Sequence, residues 1–177
     1  ALENETFRYV ACKPNYYIAP TNKDKHGKEL WNHHKMVKRT MFNYDGVEGG
    51  KTGYTTKAGG TLVTFAKRGD QELIVVDLCA HGYELYEDTI KMLNYGFNNY
   101  KTIAPFKTMN TVLKDDTYGF LKTGNELSQY KIPLKHLNDV TVMLEKNQSA
   151  SKLTYKCKDN KYIISYDGKQ IGSVKLY

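Results

Sequence analysis

The sequence predicts an α+β chain: antiparallel strands closed by one helix, followed by a small all-β, sandwich-like module. Three observations carry this reading. Two strand-like runs, residues 61–67 and 72–79, flank Arg68-Gly69-Asp70-Gln71, a hairpin signal with glycine in the turn. Leu85, Ile90, Leu93 and Phe97 then recur at helical spacing over residues 84–99. Beyond Thr102-Ile103-Ala104-Pro105 the helical period disappears and short strand-like runs follow one another.

The elements can be justified in chain order. In residues 1–12, Leu2, Phe7 and Val10 share one helical face, with Glu3, Glu5 and Arg8 turned outward. No capping residue is evident ahead of them, so the chain is expected to begin inside a helix and to be truncated. Pro14 and Pro20 bracket an extended stretch, Asn15-Tyr16-Tyr17-Ile18. Residues 22–28 read as a charged turn, and residues 29–37 as a short helix or an irregular segment. Tyr44-Asp45-Gly46 is a turn into a strand containing Lys51. Leu73-Ile74-Val75-Val76 is continuously apolar, which predicts a central strand covered on both faces. Glu84, Glu87 and Asp88 lie in the first turn of the following helix, where acidic groups suit the dipole. In the last part, strands are expected at 111–113, 118–121, 140–144, 153–157, 162–166 and 171–177. Asp159-Asn160 and Asp167-Gly168-Lys169 supply turns between them. The domain boundary is placed at 103/104, giving units 1–103 and 104–177.

Composition bounds the function. With 177 residues, 40% hydrophobic and 12% aromatic, the chain is globular and long enough for one or two domains. No apolar run approaches the ~20 residues that span a membrane, and no signal peptide is recognisable. The net charge of +7 suits an anionic partner or simple solubility. Nucleic acid is disfavoured, because the lysines are spread along the chain and no recognition-helix or zinc-finger pattern occurs. Three cysteines, Cys12, Cys79 and Cys157, stand far apart and cannot all pair within the chain. With no C-x-x-C, neither a metal nor a redox motif is indicated. Cys79, ending an apolar run, reads as a buried thiol.

The stretch that carries chemistry is Gly49-Gly50-Lys51-Thr52-Gly53-Tyr54-Thr55. Gly50 and Gly53 remove side chains around Lys51-Thr52, so that an extended peptide could lie along a sheet edge. Lys51 offers a cation and Thr52 a hydroxyl, a pair suited to a carboxylate. The plain alternative is an edge strand with two glycines and a solvated lysine. A second copy, Lys122-Thr123-Gly124, reads as a turn.

In its context, Val47-Glu48-Gly49-Gly50-Lys51-Thr52-Gly53-Tyr54-Thr55 resembles the Lys-Thr-Gly box of the serine D-alanyl-D-alanine carboxypeptidases. These are the low-molecular-mass penicillin-binding proteins of the S-x-x-K, S-x-N, K-T-G group. Pro20-Thr21-Asn22-Lys23 and Trp31-Asn32-His33-His34 upstream fall in the family's order. So do Gly60-Thr61-Leu62-Val63, Ala66-Lys67-Arg68, Tyr86-Glu87-Asp88-Thr89 and Leu93-Asn94-Tyr95-Gly96-Phe97 downstream. The resemblance implies the C-terminal part of a β-lactamase/transpeptidase-like domain, then the family's β-rich second domain. It implies acyl transfer: a serine attacks between two D-alanines of a peptidoglycan stem peptide, and β-lactam antibiotics acylate the same serine. Lys51 would sit in the proton-relay and carboxylate-binding network, and Thr52 would hold the terminal carboxylate. The Tyr54 backbone N–H would be an oxyanion donor, Gly53 would give access, and Thr55 would add a hydroxyl. No cofactor is implied, and the location is extracytoplasmic.

His33 and His34 stand where the family has cleft-lining polar residues, often Asn at the second; they read as solvated histidines. The nucleophile is missing, since no serine precedes Ser128. The S-x-x-K match Ser149-Ala150-Ser151-Lys152 reads as a chance match in a hairpin loop. The chain therefore resembles the C-terminal half of the enzyme. Its apolar strand at 73–78 would need a partner, either the N-terminal half or a swapped copy. A non-catalytic wall-peptide-binding or partner-binding remnant is the alternative. A serine β-lactamase is a third reading, which the β module after the helix argues against.

Overall fold

The structure is a computed structural model and describes residues 1–38, 41–107, 111–113, 118–123, 126–127, 132–133, 140–159 and 161–175. The chain divides into two compact units, Ala1–Asn98 and Asn99–Tyr177.

The first unit begins with α1 (Glu5–Ala11). Its Asn4 accepts a hydrogen bond from the Phe7 N–H at 2.8 Å and caps the helix. The expectation of an uncapped helix is thus corrected: the turn before Glu5 belongs to the chain, and Asn4 starts the helix. No α1 residue is buried. Arg8 ties the helix to the sheet through Glu48 at 2.9 Å and through Glu72. An antiparallel ribbon follows, β1 (Asn15–Ile18) and β2 (Lys28–Trp31), so residues 28–31 form a strand, not the end of a charged turn leading into a short helix or irregular segment. All eight positions are exposed, so no buried face marked them.

The centre of this unit is the sheet β3 (Val47–Thr55), β4 (Gly59–Arg68) and β5 (Gln71–Ala80), in that spatial order and all antiparallel. Helix α2 (Glu84–Asn99) closes one face. Leu62, Ala66 and Val75 from the sheet pack with Leu93, Phe97 and Tyr86 from the helix. Directly opposed residues of an antiparallel pair share a face, so this core also assigns faces to the neighbouring strand. The other face is largely uncovered. Ile74, Val76 and Leu78 are 59%, 54% and 68% exposed. Strand β5 is therefore an edge strand with one bare apolar face, not a central strand covered on both. Its apolar run is real, but among the described residues only Leu73 and Val75 join the core cluster. Cys79 is likewise exposed rather than buried; it has a φ of 63° at a register shift near the end of β5.

Among its described residues the second unit is all-β apart from two single-turn 3-10 helices. Its strands are β6 (Tyr100–Ile103), β7 (Thr111–Leu113), β8 (Tyr118–Thr123), β9 (Glu126–Leu127), β10 (Ile132–Pro133), β11 (Val142–Glu145), β12 (Leu153–Lys158), β13 (Lys161–Tyr166) and β14 (Lys169–Lys175). β6 pairs with β11, β7 to β10 group around β8, and β12-β13-β14 form a meander. The Asp167-Gly168 turn has positive φ at both residues, as a tight hairpin requires. Phe106, Val142, Leu144, Leu153, Tyr162 and Ile164 make the core of this unit.

Ser149-Ala150-Ser151-Lys152 is not a hairpin loop. Ser149 caps a 3-10 turn, Ala150–Lys152, that joins β11 to a strand of a different sheet. Its hydroxyl lies 2.8 Å from that of Ser151. Lys122 and Thr123 are the last residues of strand β8, paired with β9, and not a turn; Gly124 and Ser128 fall outside the described residues.

Candidate active site

All five motif residues, Lys51 to Thr55, lie on β3, whose paired side faces β4. Its other side has no strand neighbour among the described residues, leaving an open ladder edge. The register pairs Lys51 with Val63, Thr52 with Leu62, Gly53 with Thr61, Tyr54 with Gly60 and Thr55 with Gly59. Leu62 is buried in the α2-facing core, so Thr52 lies on that face, whereas Lys51 lies on the bare face with Val63. Lys51 is exposed, and its ammonium donates to the Thr52 carbonyl at 2.5 Å. Tyr54 is 76% exposed. The Thr55 hydroxyl accepts from the Ala58 N–H at 3.0 Å and holds the turn into β4.

The two glycines have reasons internal to the fold. A Cβ on Gly50 would stand 2.6 Å from the His34 ring and would strike the Val63 carbonyl; one on Gly53 would strike the Thr61 hydroxyl. Gly50 is buried, so its missing side chain makes room for the protein's own interior, not for an incoming peptide.

His33 is exposed, as the sequence suggested, but His34 is not solvated. Its side chain is fully buried, its Nε2 lies 2.8 Å from the Thr64 hydroxyl, and its ring meets Tyr86 edge-on. The local cause is Asn32. That side chain accepts from the His34 N–H and donates to the carbonyls of Lys13 and Ala11, turning the chain inward after β2. Burial pushes the imidazole down to about 4, a backbone group of Val63 offsetting only part of the effect. Its Nδ1 makes no hydrogen bond.

A cavity of about 380 Å³ opens beside β3, floored by Thr52 and Gly53 and walled by Tyr83 and Tyr86. His33, Lys35 and His81 also line it. The Lys35 ammonium lies 4.1 Å from the centre of the Tyr83 ring, and the Lys35 N–H reaches the Tyr86 hydroxyl at 3.4 Å. The sequence reading passed over Lys35, Tyr83 and His81. The signal available was local: a lysine beside the histidine pair and an aromatic i, i+3 pair at a helix start, both of which also occur in plain cores. Among the described residues no His/Cys/Asp/Glu cluster could hold a metal, and no helix is long and apolar enough to cross a membrane.

No protein-family model matches the chain. Among solved structures, penicillin-binding protein 5 from Haemophilus influenzae aligns with a TM-score of 0.57 and 22% identity, over 96% of this chain and 49% of that one. The fold is therefore that of the penicillin-binding, transpeptidase-like proteins. Among curated proteins, D-alanyl-D-alanine carboxypeptidase DacF of Bacillus subtilis is 30% identical over 154 residues, which are 84% of this chain and 37% of that protein. D-alanyl-D-alanine carboxypeptidase DacC of Escherichia coli is 35% identical over 77 residues, 43% of this chain and 18% of that protein. The chain is thus similar in sequence to D-alanyl-D-alanine carboxypeptidases, and it spans little more than a third of the length of the longer match.

Proposed function

We propose that this chain supplies the Lys-Thr-Gly edge of a serine D-alanyl-D-alanine carboxypeptidase, acting outside the cytoplasmic membrane on peptidoglycan stem peptides ending in D-Ala-D-Ala. The observation that carries the reading is the open edge of β3, with Lys51 to Thr55 on it, in a fold shared with penicillin-binding protein 5. An extended peptide can add to such an edge through backbone hydrogen bonds, which suits a short acyl-D-Ala-D-Ala tail. In this reading Thr52 binds the terminal carboxylate. The Tyr54 N–H, reached past Gly53, stabilises the oxyanion of the tetrahedral intermediate. Lys51 lies on the bare face and assists proton transfer to and from the attacking serine, and Thr55 adds a hydroxyl at the far end of the strand. The serine attacks the penultimate carbonyl, D-Ala leaves, and water hydrolyses the acyl-enzyme. β-Lactams acylate the same serine.

No serine precedes Ser128, so the nucleophile comes from polypeptide outside the 177 residues. The edge of β5, which has no strand neighbour among the described residues, and its bare Ile74, Val76 and Leu78 are a natural seat for that polypeptide, the N-terminal half of the enzyme. A swapped copy could cover the same strand but would bring no serine ahead of Lys51.

The test is labelling with a fluorescent penicillin, read by intact mass. The 177-residue chain alone should take up no label, and mixing with the separately made N-terminal half should restore it. Acylation of the isolated chain would overturn the account of the nucleophile. A stable complex of the two halves that remains unlabelled would overturn the carboxypeptidase reading and favour a non-catalytic wall-peptide binder.

A further inference from the structure

Sheet register separates two groups that the motif places side by side. Lys51 lies on the bare face, whereas Thr52 lies on the α2 face and lines the 380 Å³ cavity. Lys51 is absent from the cavity's described lining, its ammonium being held 2.5 Å from the Thr52 carbonyl, so a carboxylate held in the cavity by the Thr52 hydroxyl would draw on another cation. The cavity offers one. Lys35 lines it, with its ammonium held against the Tyr83 ring, and no acidic side chain is among the described lining residues. His33, His81 and the phenols of Tyr54, Tyr83 and Tyr86 are the other titratable groups among its described lining residues. Its volume lies near the lower end of small-ligand sites, roughly 300–1,000 Å³.

We propose that Lys35, not Lys51, is the cation that recognises the terminal carboxylate of the peptide, acting with the Thr52 hydroxyl across this cavity. The Tyr83 ring keeps the ammonium in place and makes the site partly preformed. Lys51 is then left to proton transfer alone. This division of labour rests on the reading given under Proposed function and names the residue that sets its preference for a free C-terminus.

The experiment titrates the full 177-residue chain with N-acetyl-D-alanyl-D-alanine and, separately, with its C-terminal amide, following backbone amide signals by NMR. The acid should shift Thr52, Gly53 and Tyr83 and bind roughly tenfold more tightly than the amide, as the loss of one charge-assisted hydrogen bond implies. Lys35→Met keeps the aliphatic stem against Tyr83 and should abolish that preference, while Lys35→Arg should retain it. Lys57→Gln, at the exposed turn after β3, should leave it unchanged. Equal binding of acid and amide, no saturable shift at Thr52, or a preference that persists in a folded Lys35→Met chain would each overturn the proposal. Penicillin labelling of the reassembled halves reports separately. If they label while the acid preference ignores Lys35, this inference fails and the carboxypeptidase reading stands. If they do not label, that reading fails whatever Lys35 does.

Discussion

His34 is the residue whose chemistry the fold changes most. It sits beneath the candidate strand, fitted against Gly50 and bonded to Thr64. Its imidazole is held near 4 when folded, against an ordinary value of 6.5. The unfolded chain thus takes up the proton first as pH falls. The stability that neutral His34 contributes is complete above about 6.5, is lost between 6.5 and 4, and changes no further below that. A shift of this size corresponds to about 3 kcal/mol. Urea unfolding at pH 7, 5.5 and 4 should show this loss in the wild-type chain and a flatter profile in His34→Gln. Parallel profiles for the two chains would rule it out. The motif residues were legible in the sequence because Gly-Lys-Thr-Gly is contiguous and leads into a turn. His34 was not, because its burial depends on Thr64 and Gly50, which are remote in the chain. The same holds for Lys35: its place at the cavity is set by Tyr83, on the far side of the sheet in sequence.

Among the elements, β4, β5 and α2 followed from periodicity and turn chemistry, with bounds within two residues, whereas β3 was expected only as a strand containing Lys51, without bounds. The β5 reading was half right for a physical reason. A run such as Leu73-Ile74-Val75-Val76 reports that both faces are apolar, but not whether both are covered. In this chain Leu73 and Val75 meet the core and Ile74 and Val76 face outward. The β1–β2 ribbon failed in the opposite way: every position is exposed, so alternation left no mark. The bare face makes a distinguishing substitution possible. Val76→Lys places a charge on an exposed position, so the melting temperature of the isolated chain should move by no more than a few degrees, as for most surface changes. In the two-half complex the same lysine would be buried without a partner. Val76→Lys should therefore remove penicillin labelling at equal protein concentrations. Full labelling of the Val76→Lys complex would show that this face is not the seat of the N-terminal half.

At the scale of the whole molecule, each unit has its own core, one built on Leu62, Leu93 and Tyr86 and the other on Tyr162, Ile164 and Leu144. The sequence reading set the change from helical to strand periodicity at 103/104, whereas β6 already begins at Tyr100; nor did it reveal how the later strands distribute among sheets, because short strands of similar composition have many possible pairings. That distribution bears on the time course of folding. In the meander, β12 joins β13 and β13 joins β14 across short turns, whereas β6 must find β11, Ile103 meeting Val142. Local pairings close small loops and form early; distant ones wait on a larger entropic search. In pulsed hydrogen exchange during refolding, the amides of β13 should gain protection before those of β6. Simultaneous protection would mean that the second unit assembles in one step. If the meander does come first, an ordered ribbon waits for its partner strands, and the slow step of this unit is the arrival of β6 at β11.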